Sequence, residues 1–490
     1  MKRELIYLLL CILQLQAIAQ DKQPNILFIF ADDQCYQTTK AGGNNEIKMP
    51  NLDKLADQGV HFSHAYNMGS WSAAVCMASR TMLNTGKTVW NAHQFIKNKN
   101  TEAYWSKMMS NAGYTTYFTG KWHLKIEVEK LFDHVKHPRR GMPSDHWNKE
   151  VYSRIKEAVR KGEDTQSAMP FGYARPKNEE DQSWLPWDKS NGGYWEGGTH
   201  WSEVVANDAI EFIDHAKKEE KPFFMYVAFN AGHDPRQSPK EFIEMYPLEN
   251  IKVPETFQPE YPQHNELKIG PSLRDEALAP FPRTEHAVKV HRQEYYALLS
   301  HMDQQIGRIL EHLKTTNQLE NTYIIYTADH GLAVGNHGLL GKQNMYDHSL
   351  RVPLFIIGPS LSKQKIEADI YIQDIMPTCL ELAGNATETE FNSLLPFLND
   401  ESKTSYYDGI YSGLMNTQRA IRKDNYKLIV YPTIQKELLF DLEKDPNELE
   451  NLASSKAHKK IKKELFKSLL KLQEELNDPL ELKNINRDEI

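Results

Sequence analysis

Cysteine is scarce in this chain. Its 490 residues hold four, and Cys11 falls within an N-terminal leader, which leaves Cys35, Cys76 and Cys379. Three cysteines cannot supply the framework of bridges that staples small exported domains. Cys35 and Cys379 read as buried small hydrophobes or as a single pair. Long apolar runs are equally rare. Past residue 20 no stretch approaches the ~20 residues a spanning helix requires, so no stable membrane span is expected. Positive charge is not in excess either: 58 Lys and Arg stand against 66 Asp and Glu, a formal net charge of −8. That removes nucleic acid as an expected partner but leaves room for an anionic ligand in a local basic pocket. Internal repeats and long low-complexity linkers are also missing. What remains is ordinary globular composition, 40% hydrophobic and 25% charged, in a chain long enough for one large domain and a smaller one.

The leader itself is "MKRELIYLLLCILQLQAIAQ". Lys2 and Arg3 precede an apolar run from Leu5 to Leu15, and Ala17-Ile18-Ala19 has the small-x-small form of a cleavage site. Residues 1–19 therefore read as a secretory signal, and the protein as exported, periplasmic or secreted. Leu10, immediately before Cys11, argues against a lipoprotein. Residues 20–400 are expected to form the large domain and residues 401–490 a C-terminal α+β subdomain. There "SYYDGIYSG", "YKLIVYP" and "LLFDL" read as strands of an antiparallel sheet, followed by a helical pattern from Lys456 to Leu476.

In the large domain, apolar runs alternate with helical stretches, the pattern of an α/β fold with a large mixed, mostly parallel sheet flanked by helices. Four of these runs end in chemistry. "NILFIF" leads to Asp32 and Asp33, "TTYFTG" to Lys121 and His123, "PFFMYVAFN" to His233 and Asp234, and "TYIIYTA" to Asp329 and His330. Any one of them alone is a solvated strand end or a helix cap. Ligands of open α/β sheets bind beyond the carboxyl ends of strands, so the four together are expected to converge on one site. Asp32, Asp33, Asp329 and His330 are mostly hard donors, suited to Ca²⁺ or Mg²⁺. A divalent ion is the simplest way to keep clustered carboxylates charged. Lys121, Lys342 and Arg80 then face an anion beside that ion, which fits a phosphate or sulfate ester.

The stretch "VCMASRTMLNTG", Val75 to Gly86, completes the pattern. Cys76-Met77-Ala78-Ser79-Arg80 with Thr85-Gly86 resembles the signature of the type I sulfatases of the alkaline phosphatase superfamily, Cys-x-Pro/Ala-x-Arg with a downstream Thr-Gly. "FADDQ", "GKWHL", the His233-Asp234-Pro235 element and "TADHGLAVGNHGLLGK" follow in the family's order, and the resemblance runs from Asn25 to about Asn451. Ala78 stands where the commonest form of the signature has proline.

The resemblance implies an alkaline phosphatase-like fold and a sulfuric ester hydrolase. It implies that a maturation enzyme oxidises Cys76 to formylglycine (3-oxoalanine), whose hydrate is the nucleophile. It assigns one Ca²⁺ to Asp32, Asp33, residue 76, Asp329 and His330, and sulfate oxygens to Lys121 and Lys342. Arg80 orients the hydrate, His123 helps remove its second proton, and His233 acts as general acid on the departing alcohol.

The expected substrate is a sulfated carbohydrate, attacked in exo fashion at a galactose or N-acetylgalactosamine sulfate. The glycine- and aromatic-rich segment "GGYWEGGTHWSE" suggests Trp195, Trp201 and His200 as sugar contacts, and His337 is a further candidate. Each of these four also fits simple packing. Competing expectations are a choline-sulfatase-like enzyme, a phosphonate or phosphate ester hydrolase of the same superfamily, and an inactive protein that binds sulfated glycans.

Overall fold

The computed structural model describes residues 23–482 apart from 99, 164, 268, 271 and 400–404. The leader expected at 1–19 and the boundary expected at 400 lie outside the described residues.

One large sheet organises the chain. Its strands are β1 (Asn25–Ala31), β2 (Val60–Tyr66), β4 (Thr115–Lys121), β5 (His134–Arg139), β6 (Phe223–Ala228), β7 (Thr322–Ala328), β8 (Arg351–Ile357), β9 (Gln364–Ile366) and the short β10 (Ile370–Tyr371). The spatial order is β9-β2-β8-β7-β1-β6-β4-β5, with β10 paired to β2. Only β8 runs against the rest, pairing antiparallel with both β2 and β7. The sheet is thus mixed and mostly parallel, as the sequence predicts. Every residue of β1 and β6 is buried, which is why these strands read as continuous apolar runs rather than alternations.

The four chemistry-bearing runs are β7, β1, β6 and β4, adjacent and mutually parallel. Their carboxyl ends therefore meet along one edge. Helix α2 (Trp201–Ala216) packs on β4 and β6, and the long helix α3 (Glu285–Thr315) packs on α2. Helix α1 (Val75–Thr85), which carries Cys76, lies at the end of the sheet, with the Arg80 guanidinium 4.6 Å above the Phe30 ring of β1.

The C-terminal sheet has the order β14-β13-β12-β11-β3, where β11 is Ile410–Leu414, β12 Gln418–Lys423, β13 Tyr426–Tyr431 and β14 Lys436–Asp441. Helix α4 (Lys459–Glu475) covers β12 and β13. Strand β3 is Gly69–Ser70, far upstream in the chain, and pairs in parallel with Gly413 and Leu414. A Cβ at Gly69 would lie 2.0 Å from the Gly413 carbonyl oxygen, and its φ of +99° suits glycine. The second core accordingly mixes both ends of the chain: Val75, Met82 and Trp90 pack in the same cluster as Leu428, Ile429 and Leu469.

Candidate active site

The chain leaves the sheet abruptly at the four strand ends. Asp33 and His123 both adopt left-handed backbone, φ 55° and 61°, a conformation that costs energy for non-glycine residues and clusters at functional sites. Gly120 permits the close approach of β4 to β6, because a Cβ there would sit 1.8 Å from the Ala228 oxygen. Lys121, the next residue, is thereby placed beside the end of β1.

Three carboxylates and three cations interlock beyond the strand ends. Lys121 pairs with Asp32. Lys342 Nζ donates to both carboxylate oxygens of Asp33, at 2.5 and 2.6 Å, and lies 2.9 Å from Cys76 Sγ. Arg80 Nε donates to Asp329 Oδ2, and Arg80 Nη1 donates to the Lys121 carbonyl at 2.8 Å. Cys76 and Arg80 stand four residues apart in α1, on one face. Ala78 lies between them, and its N–H donates to the Ala74 carbonyl at 3.3 Å, a bond proline at this position would forgo.

Burial sets the electrostatics. It pushes Asp32 up to about 7, with Asp329 adding to the rise, and raises Asp33 against the pull of Lys342. Asp329 is buried just as deeply, yet Arg80, Lys121 and Lys342 together hold it below the ordinary carboxylate range. Burial and the three aspartates push the Cys76 thiol well up, so the residue as encoded is a poor thiolate.

Three buried polar atoms of this cluster lack a hydrogen-bond partner: Asp32 Oδ1, Arg80 Nη2 and His123 Nδ1. Such orphans in a native core mark a place for a ligand. Asp32 calls for a cation and Arg80 for an anion. Ligand atoms of Asp32, Asp33, Cys76 and Asp329 all lie within 4.8 Å of one another, close enough to share one ion. Three carboxylates suit a hard divalent cation and the sulfur does not. Oxidation of residue 76 to an oxygen-bearing side chain would make the set uniform, so both groups fit the residues present.

His233 stands at the rim of this cluster, Nε2 3.8 Å from Asp33 Oδ2. Its Nδ1 donates to the Asp234 carbonyl at 2.8 Å, which leaves Nε2 as the acceptor side of the neutral ring. Burial, with Lys342, Lys121 and Arg274 nearby, holds the ring well below the usual histidine range, so it is neutral. Arg274 is a participant that sequence reading misses. Its Nη1 donates to Asp234 Oδ2 at 2.6 Å and its Nη2 lies 3.4 Å from His233 Nε2. It sits in "PSLRDEALAP", after no strand, and carries no pattern that could have flagged it.

Several expected contacts are corrected. His330 lies outside the group of atoms within 4.8 Å of one another, and its Nδ1 donates to the Gly331 carbonyl at 2.9 Å, which leaves Nε2 as the ring atom that could reach an ion. In the segment expected to stack on sugar, Tyr194, Trp195, His200 and Trp201 are buried and brace the His233 loop, and only the tip at residues 196–198 is exposed. The Tyr194 hydroxyl lies 3.1 to 3.3 Å from the carbonyls of Asn230, His233 and Asp234. His200 Nε2 donates to the Gln237 carbonyl while its Nδ1 caps α2 by accepting from the Ser202 N–H. Trp201 packs against a tilted Tyr194 ring, with the Arg139 guanidinium 4.1 Å from its centroid, and Trp195 is buried with its indole N–H on the Pro186 carbonyl. His337 donates to the Glu448 carbonyl at 3.1 Å and stacks on Tyr346. None of the four presents a free face to a sugar. Cys35 and Cys379 are both buried and unbridged.

Comparison with known proteins agrees with this geometry. Residues 24–385 match the family described as Sulfatase, and residues 335–475 match the one described as N-sulphoglucosamine sulphohydrolase, C-terminal. The N-acetylglucosamine-6-O-sulfatase of Bacteroides thetaiotaomicron is 27% identical, over 95% of this chain and 89% of that protein. The arylsulfatase of Clostridium perfringens is 28% identical, over 92% and 94%. A solved structure described as in complex with its substrate D-glucosamine-2-N,6-O-disulfate superposes with a TM-score of 0.66 at 22% identity, covering 94% of this chain and 99% of that one.

Proposed function

This chain belongs to the sulfatase family, and from that premise we propose that it is an exported hydrolase that removes O-sulfate from the end of a glycan, using formylglycine at position 76 and one Ca²⁺. The observation that carries the reading is the cluster itself: three buried carboxylates with an orphaned oxygen, ringed by three cations, at the first turn of the helix that bears Cys76. Asp32, Asp33, Asp329 and residue 76 would hold the ion. When present, the two groups supply an activated oxygen nucleophile and a Lewis acid.

The chain's own side chains do the rest. Arg80, fixed on Asp329 and the Lys121 carbonyl, keeps an unpartnered Nη2 for an anion. Lys121 and Lys342 lie on Asp32 and Asp33 and would stabilise the charge that develops on a sulfate bound beside them. The N-terminus of α1 adds its dipole in the same sense. His123 keeps an unpartnered Nδ1 for the proton of the residue-76 hydrate. His233 holds or releases a proton at Nε2, aimed at the leaving alcohol oxygen. Burial is the main cause that holds the ring neutral, with Lys342, Lys121 and Arg274 adding to it, so this role requires His233 to gain a proton with the substrate, whose anion offsets the cationic part.

The sugar is proposed as a terminal hexose or hexosamine sulfate. Galactose and N-acetylgalactosamine sulfates are the reading drawn from the sequence. The activity of the Bacteroides thetaiotaomicron relative adds N-acetylglucosamine-6-sulfate to it. The experiment is a panel of defined sulfated mono- and disaccharides, with choline sulfate, an aryl sulfate and the matching aryl phosphate and phosphonate as controls, read as released anion. Turnover of a sugar sulfate well above the phosphorus esters supports the reading. Preference for the phosphonate, or for choline sulfate, overturns it.

A further inference from the structure

Lys342 reaches Asp33 and Cys76 on a four-carbon stem, so its place depends on the backbone that carries it. That backbone is clamped on both sides by buried groups that touch neither ion nor substrate. Upstream, the Leu340 and Gly341 N–H groups donate to the two oxygens of Glu276 at 2.9 and 2.8 Å, and Arg283 Nη2 holds the same carboxylate at 2.5 Å. Downstream, Gln418 Nε2 of β12 donates to the Gln343 carbonyl at 3.0 Å. Lys427 Nζ of β13, a residue 1% exposed, donates to the Met345 carbonyl at 3.3 Å and pairs with Asp347 and with Glu448 Oε1. Glu448 Oε2 in turn accepts the Asp347 N–H at 2.7 Å. The Gln343 side chain, next to Lys342, donates to the Ala73 carbonyl at 3.1 Å and to Asp275 Oδ2 at 2.8 Å, which links the same loop to the segment entering α1.

We propose that Lys427 and Gln418, both on the C-terminal sheet, are positioning residues that set the location of Lys342, so that this sheet is a working part of the sulfate site. Desolvation makes buried ion clusters poor sources of net stability. Three charged side chains from three separate segments gathered on one short loop are better explained by the place they give that loop. Misplacement of a catalytic group by about 1 Å costs on the order of a hundredfold, so a clamp of this kind has a selectable effect. The inference rests on the reading that Lys342 binds sulfate.

The test uses full-length matured protein with calcium added and compares the wild type with Lys342→Ala, Lys427→Met, Lys427→Arg, Gln418→Met and the double variant Lys342→Ala/Lys427→Met. Binding of inorganic sulfate by calorimetry and kcat and KM on an aryl sulfate are the readouts. Lys427→Met should weaken sulfate binding and kcat/KM by roughly tenfold, Lys427→Arg should recover most of the loss, and Lys427→Met should add almost nothing in the Lys342→Ala background. Losses that multiply in the double variant, or wild-type sulfate binding in Lys427→Met, overturn the inference while leaving Lys342 its role. Unchanged sulfate binding in Lys342→Ala takes down that role and the inference with it. Should Lys427→Met fail to fold with Asp347 and Glu448 unpaired, the uncharged Gln418→Met decides the question by the same comparison, with a loss of about threefold expected.

Discussion

Arg80 Nε lies 2.7 Å from Asp329 Oδ2, with neither side chain exposed to solvent. This pair satisfies one carboxylate of the cluster and leaves the imbalance on another. Asp32, pushed up to about 7 by burial and by Asp329, keeps Oδ1 without a partner.

Calcium should therefore stabilise the folded protein through Asp32. At a hundredfold excess over its Kd a ligand bound only by the native state adds about 2.7 kcal/mol, visible as a rise in Tm. Asp32→Asn is expected to lose more than about half of that shift, because it removes a charge without removing the fold. A wild-type Tm indifferent to calcium would remove the ion from the site.

Residue 76 is predicted to be an aldehyde in the active protein. Mass spectrometry of the peptide spanning Val75 to Gly86 should show the loss that accompanies thiol-to-aldehyde oxidation in protein from its native host. Cys76→Ala should abolish turnover while the Tm moves little. An active preparation in which every molecule carries an unmodified thiol would end this reading.

His233→Ala should separate substrates by their leaving groups. A general acid contributes roughly 10²–10⁴-fold where the departing alkoxide is poor, and little where it is a nitrophenolate. Sugar sulfates are expected to suffer that loss in kcat and aryl sulfates to escape most of it. Equal losses on both would take His233 off the leaving oxygen.

Acid should unfold the protein through its buried histidines. Burial brings His61 and His337 down to about 4, whereas the unfolded chain titrates near 6.5. Between those values the unfolded state binds more protons. The stabilisation is complete above pH 6.5 and is lost as pH falls through 4, on the order of 3 kcal/mol for each ring. Urea midpoints measured from pH 7 to 4 should fall steeply, and His337→Gln, which keeps a donor for the Glu448 carbonyl, should flatten the decline. Parallel curves for the two proteins would refute the assignment.

The architecture was legible where burial is two-sided and continuous. Strands β1, β4, β6 and β7 announce themselves as apolar runs, and their terminal Asp32, Asp33, Lys121, His233 and Asp329 meet as the parallel arrangement requires. Residues whose roles depend on a neighbour's backbone were not legible. Nothing in the order of letters shows that the Gln237 carbonyl occupies His200 Nε2. A glycine- and tryptophan-rich segment looks like an open sugar platform until Tyr194 and Arg139 are seen to enclose it. Arg274 was invisible because its loop follows no strand and its partners, Asp234 and His233, come from a distant turn.

The pairing of Gly69 and Ser70 with Gly413 and Leu414 has a consequence for synthesis. The ribosome delivers the segment that enters α1 long before it delivers the strand that anchors it. Until β11 emerges, the Met68 and Ser70 carbonyls lack their strand partners, and the approach to Cys76 is held only by local contacts and by Gln343 on the Ala73 carbonyl. Vectorial growth thus leaves that region loose for most of translation, with slow closure governed by a contact of very high sequence separation. A nascent chain stalled before residue 410 would carry all four central strands and still lack a finished active site.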